Sequence, residues 1–185
     1  MHHNSETSWS SPLVSISKRV IKVQPTFTAD DNADNDVAFD WTEIPNAFSS
    51  KGKSSILKSI FILNGYDQAH ILELLFCRGT DNDGTATTAA QGLINASATG
   101  SAAVDITQAE TQAVEICGQV NIVSGDYVEG DLLTARIAQK TGIDLIMSPR
   151  VNSTSLYVAG IWRADPATMG SIATNLMDMY LGFED

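Results

Sequence analysis

Basic residues are scarce in this chain. Its 185 residues include 11 lysines and arginines against 22 aspartates and glutamates, a net charge of −11. Nucleic-acid binding needs a concentrated basic footprint. The densest basic groups here are only Lys18-Arg19 with Lys22, and Lys51 with Lys53, so no DNA or RNA partner is expected. Cysteine is nearly missing too: Cys77 and Cys117 each stand alone in an apolar stretch. Two isolated thiols make neither a disulfide framework nor a zinc knuckle, and both read as small core residues. No segment reaches the roughly 18 apolar residues of a membrane span, so no membrane is expected. Residues 1–7 are polar, with no apolar signal core, which leads us to expect synthesis in the cytosol. Neither a GxGxxG nor a phosphate-binding GxxxxGK[ST] run occurs, and no cofactor is expected.

What is present is a globular composition, 43% hydrophobic and 18% charged, unlike that of a disordered chain. The length suits one domain with an arm. A domain of this size buries about 70% of its unfolded surface, enough to hold together without staples. The acidic excess favours solubility and keeps free copies apart by mutual repulsion.

Residues 1–12 are polar, contain Trp9 and end at Pro12. We read them as an arm outside the core, with residues 13–185 forming the domain. Tryptophan is an efficient interface anchor, so Trp9, Pro12 and the adjoining Leu13 are the candidate partner-binding residues.

From residue 13 the apolar pattern has period two, the signature of strands. Val14 and Ile16 alternate with serines; Ile21, Val23 and Phe27 then share a face, with a parity change that marks a bulge or a new strand. Val37, Phe39 and Trp41 alternate next, which puts Trp41, like Trp162 later, on an apolar core face. Ile56 to Leu63 is apolar on both faces toward its end and reads as a central strand. Asn64-Gly65 is turn chemistry, and Ile71 to Arg78 reads as the returning arm of a hairpin. Residues 79–104 are rich in Thr, Asp, Ala, Ser and Gly and read as a long surface loop. Thr107 and Glu110 form a capping box ahead of Ala109, Ala113 and Ile116, which predicts one short connector helix over Thr107 to Ile116. Alternation resumes at Val120-Ile122, Leu133-Ile137, Ile143-Met147, Leu156-Trp162 and Met177-Phe183; Ile172, Leu176 and Met179 also fit a helical face, and we favour the strand over Met177 to Phe183. The expected fold is all-β: a two-sheet antiparallel β-sandwich, jelly-roll-like, with one short connector helix.

Several segments also carry a family resemblance. They are Ser55-Ile56-Leu57-Lys58-Ser59-Ile60, Tyr66-Asp67-Gln68-Ala69, Leu74-Leu75-Phe76, Asp105-Ile106-Thr107-Gln108-Ala109, Asp126-Tyr127-Val128, Ser155-Leu156-Tyr157-Val158-Ala159-Gly160 and Leu181-Gly182-Phe183. From about Val37 onward the chain resembles small virion structural proteins of tailed bacteriophages, of the type found with marine and cyanobacterial hosts. That resemblance implies a capsid decoration or cement protein. Its partners would be the major capsid protein or other virion proteins, it would form a homo-oligomer, with a trimer favoured, and it would sit on the capsid surface. It brings no catalytic residues with it. A tail or head-fibre adaptor and a carbohydrate-binding sandwich module are the alternatives.

Other constellations are weaker. Asp30, Asn32, Asp34 and Asp36 alternate like a calcium loop, but Asn35 and Trp41 stand where the helix–loop–helix calcium motif wants glycine and glutamate. A solvated acidic turn is the simpler reading, as it is for Asp81 and Asp83. His70 is the sole histidine beyond His2-His3; it has no nucleophile motif nearby and reads as a partly exposed strand residue. Glu43, Glu73 and Glu115 are carboxylates of the right type for glycoside hydrolysis, but no spacing selects them. We expect no enzyme.

Overall fold

The computed structural model describes residues 18–27, 35–65, 69–79, 115–128, 135–150, 152–164 and 177–185. Nine strands lie in these segments: β1 (Lys18–Val23), β2 (Val37–Ile44), β3 (Ser55–Asn64), β4 (Leu72–Cys77), β5 (Ile116–Ile122), β6 (Tyr127–Val128), β7 (Arg136–Met147), β8 (Leu156–Trp162) and β9 (Met177–Glu184). They form a five-stranded sheet, β1-β9-β3-β7-β6, and a four-stranded sheet, β2-β8-β4-β5. Every paired neighbour is antiparallel, and the fold is an all-β sandwich. The chain changes sheet at almost every connection; only β4–β5 and β6–β7 remain within one sheet.

The alternation that marks strands in the sequence also sorts side chains between faces. In β9, Met177, Met179, Leu181 and Phe183 are buried, while Asp178, Tyr180, Gly182 and Glu184 are only partly so. A one-residue slip would exchange the two sets, so burial fixes the register. From the four-stranded sheet, Leu72, Leu74, Phe76, Leu156, Val158 and Trp162 meet them in one core. Each large apolar side chain closed off in this way stabilises the fold by about 1.5–3 kcal/mol. Phe39 lies over Gly160, where an added Cβ would fall within its ring. Phe27 meets Phe39 edge-on at 5.3 Å and stacks on Trp162 at 5.9 Å.

Four local expectations are corrected. Asn64-Gly65 does not close a hairpin: β3 and β4 belong to different sheets, so the chain crosses the core there instead of turning back. Ile116 does not end a helix but opens β5, opposite Cys77. Glu115 before it has φ = 50°, a left-handed conformation that a continuing helix cannot take; the rest of the expected helix, like most of the 79–104 loop, lies outside the described residues. The strand expected to end at Ile137 and the one expected over Ile143–Met147 are parts of a single strand, β7, irregular at Gly142 (φ = 67°) and Asp144 (φ = 52°). Trp41 is not core. Register shifts in β2 break its period, so Ala38 and Phe39 both join the main core while Trp41 packs, half-buried, beside Cys77 and Tyr157.

Candidate interaction surface

The two sheets treat their outer faces differently. In the four-stranded sheet, β4 and β8 are buried at every position, inward and outward alike. On its outer side Glu73 is buried and ion-paired with Arg163, whose guanidinium also reaches Asn35. The outer face of the five-stranded sheet is open. Val20 on β1 is 73% exposed, Ile146 on β7 68% and Val128 on β6 57%. Between these borders lie half-buried Ile56, Phe61 and Leu63 of β3, Tyr180 of β9 and Ile137 of β7. Phe61 and Tyr180 are directly opposite in the ladder and meet edge-on at 5.8 Å.

Bulges shape the middle of this face. Between Leu57 and Ser59 the β3 register shifts against both neighbours, β7 and β9. The Ser59 hydroxyl then occupies the place a Cβ on Gly182 would take. Lys58, at the shift, pairs with Asp144 of β7 and lies 3.9 Å from Glu184 of β9.

Among the described residues, the charges on this face balance. Lys18 pairs with Glu184 at 3.7 Å, Lys22 with Asp178 at 2.9 Å, and Lys58 with Asp144. Three lysines therefore stand against three carboxylates in a chain whose net charge is −11. The Asp178 hydrogen bond raises Lys22 above the usual lysine range, and the Asp144 hydrogen bond does the same for Lys58. Partial burial works to raise Asp178, but hydrogen bonds from Lys22 and Gln24 outweigh it and hold the carboxyl below its ordinary range. Lys22 also stands 5.9 Å from the centre of the Tyr180 ring. The balanced pairs are partly exposed, so they contribute little to stability.

The residues singled out in the sequence lie elsewhere. Trp9, Pro12 and Leu13 fall outside the described residues, as do Asp30, Asn32, Asp34, Asp81 and Asp83; the described chain begins at Lys18, the first residue of edge strand β1. Asp36 is buried, and its carbonyl accepts the Trp162 amide at 2.8 Å. His70 is buried, not partly exposed. It precedes β4 on the segment crossing between sheets, with Nδ1 2.7 Å from the Asn64 amide, its carbonyl accepting Tyr127 Oη at 2.9 Å, and its ring edge-on to Trp162. Burial lowers its pKa to about 4, so it is neutral at pH 7. The three glutamates are each engaged separately: Glu43 accepts the Ser155 hydroxyl, Glu73 pairs with Arg163, and Glu115 with Arg78 and Arg150. The Arg150 hydrogen bond is the main reason Glu115 sits below the usual carboxylate range.

Cys77 is buried and Cys117 half-buried, and both are free thiols. Cys117 packs on the main core and Cys77 in the small outer cluster, so they face opposite sides of the sheet. Burial pushes Cys77 up to about 12 and Cys117 to about 11, which leaves neither as a nucleophile at neutral pH. Among the described residues, no three His, Cys, Asp or Glu side chains gather as a metal site, and no helix is long and apolar enough to cross a membrane.

Sequence reasoning did not single out the open face. Its signal was the double-sided apolar character of Ile56–Leu63, which correctly marked β3 as central but also placed Phe61 and Leu63 on the outer side. No protein-family model matches the chain, and no curated protein matches it.

Proposed function

We propose that this chain is a non-catalytic virion structural protein, a capsid decoration or cement protein that binds the major capsid protein shell or its neighbours and reinforces it. The observation that carries the reading is the asymmetry of the sandwich: one sheet whose middle strands, β4 and β8, are closed on both sides, the other presenting an outer face with exposed apolar side chains. Exposed apolar side chains gathered on one face of a sheet are a common mark of a contact surface. The strand order, β1-β9-β3-β7 against β2-β8-β4-β5 with short β6 added at one edge, supports the jelly-roll reading. Jelly rolls serve in viral capsids and in lectins, a fold-level analogy in keeping with the resemblance of the sequence to small phage virion proteins.

In this reading the sandwich acts as a rigid block. Residues 1–12, with Trp9 and Pro12 and together with the adjoining Leu13, act as an arm that anchors to an adjoining subunit. Many copies bound through modest contacts reinforce a shell collectively, and a cyclic oligomer, most simply a trimer, supplies matching symmetry.

Quantitative mass spectrometry of purified particles tests the reading. A copy number comparable with that of the shell protein is the expected result. A few copies per particle would make the chain a tail or head-fibre adaptor. Absence from particles together with glycan binding by the isolated protein would replace the reading with a carbohydrate-binding module.

A further inference from the structure

We infer that the free edge of β5 takes residues 13–17 of a second copy as an added strand, so that each copy is tied to the next through its N-terminal segment. The inference rests on the reading of that segment as an arm that anchors to an adjoining subunit, and it names the place of attachment.

A row of unpaired amides and carbonyls invites a foreign strand, and sheet edges are normally guarded by charge, proline or bulges. Edge strand β1 carries Lys18, Arg19 and Lys22. Edge strand β2 carries Asp40 and Glu43 and is broken by two register shifts. β7, bordered by β6 only at Ile137 and Ala138, has Lys140 and Asp144, with left-handed φ at Gly142 and Asp144. β5 lacks such guards. Ile116–Ile122 holds no charge and no proline, and its ladder with β4 is regular from Gly118 to Ile122. Val120 and Ile122 are buried, Gln119 and Asn121 are exposed, and among the described residues no strand pairs with the other side. On that side every second residue turns its amide and carbonyl away from β4. The sheets are also unequal. β5 lies beside β7 across the sandwich, so β6, the fifth strand of the larger sheet, has no described strand opposite it.

Pattern and reach select the occupant. Residues 13–17 read Leu-Val-Ser-Ile-Ser, uncharged and alternating. Added beside β5, Val14 and Ile16 extend the apolar side of Val120 and Ile122, and the serines extend the polar side of Gln119 and Asn121. Main-chain hydrogen bonds then supply affinity and alternate side chains supply fit. A copy cannot fill its own edge in this way. β1 lies beside β2, at the opposite side of the sandwich from β5. Three strand spacings separate β2 from β5, about 14 Å, whereas the two residues from Ile16 to Lys18 span at most about 7 Å. The strand therefore comes from a neighbour. Giving at one side and receiving at the other is a head-to-tail contact, which closes into a ring when the rotation allows.

The test combines sedimentation equilibrium with amide hydrogen exchange on the full chain. The expected wild-type result is an oligomer in which the amides of Cys117–Ile122 not bound by β4 gain at least tenfold protection as concentration rises. Ile16→Asp should raise the dissociation constant at least tenfold and abolish that gain. Ile146→Asp, at a 68% exposed position on the open face of the other sheet, should change neither. A chain that stays monomeric at high concentration would overturn the inference. So would an oligomer whose β5 amides gain no protection, a result that needs no variant to fold, or an oligomer broken by Ile146→Asp and not by Ile16→Asp. Particle copy number separates this inference from the decoration reading. A monomeric chain abundant on particles removes the inference and leaves the decoration role standing; an oligomer with protected β5 edges that is absent from particles does the reverse.

Discussion

The four-stranded and five-stranded sheets share one core yet meet their surroundings in opposite ways. In the four-stranded sheet the outward positions of β4 and β8 are as closed as the inward ones, and a carboxylate there, Glu73, is held by Arg163. In the five-stranded sheet the outward positions alternate half-buried apolar groups with paired charges. The difference teaches that period-two alternation locates a strand without revealing what its second face is for. A doubly buried strand and a strand with an apolar contact face look alike in sequence, since both carry apolar residues at odd and even positions.

Breaking the shared core should give the largest effect. Trp162→Ala removes a fully buried indole that stacks on Phe27, and it should cost about 3–5 kcal/mol in urea denaturation. Gly160→Val, which drives a side chain into the Phe39 ring, should cost about 1–3 kcal/mol.

Acid should loosen the junction between the sheets next. His70 has a folded pKa of about 4, against 6.5 for the free side chain. Below pH 6.5 the unfolded chain takes up a proton that the folded chain refuses, so stability falls from pH 6.5 down to about 4 and this contribution then levels off. The loss amounts to roughly 3 kcal/mol, and urea midpoints measured across that range should show it in the wild type and lack it in His70→Asn.

The outer faces themselves give smaller, unequal effects. Glu73→Ala leaves Arg163 without its buried partner and should cost about 1–3 kcal/mol. Lys22→Ala and Lys58→Ala on the open face should leave the denaturation midpoint unchanged. If the lysine variants proved as damaging as Glu73→Ala, the contrast between a structural and a contact face would fail. Smallest of all, Cys77 and Cys117 should resist a thiol-reactive dye at pH 8 in the native protein and react together on unfolding, since burial has raised both pKa values.

Strand existence was legible where one face alone is buried: the alternation of Met177, Met179, Leu181 and Phe183 favoured β9 as a strand over the helical face that Ile172, Leu176 and Met179 also fit. Pairing was not. Asn64-Gly65 has hairpin chemistry, but a turn sequence sets a local bend, and only packing decides whether the next strand rejoins the same sheet. Trp41 was misplaced because a bulge costs one residue and reverses every side chain beyond it, and nothing in Phe39-Asp40-Trp41 announces the shift. The burial of His70 was hidden for a related reason: besides nearby Asn64, its surroundings, Tyr127 and Trp162, come from distant segments. The paired charges of the open face were likewise scattered through the sequence, and only the ladder brings Lys22 to Asp178 and Lys18 to Glu184.

The position of β9 bears on how the protein is made. It lies between β1 and β3, although more than a hundred residues of synthesis separate it from either. Until the ribosome has delivered Met177 to Glu184, both of those strands wait beside an unfilled slot, each with a row of unsatisfied amides. Such a topology folds late and slowly, and strands left waiting in this way are where nascent chains stick to one another. The acidic excess that favours solubility in the whole chain would also keep unfinished copies apart.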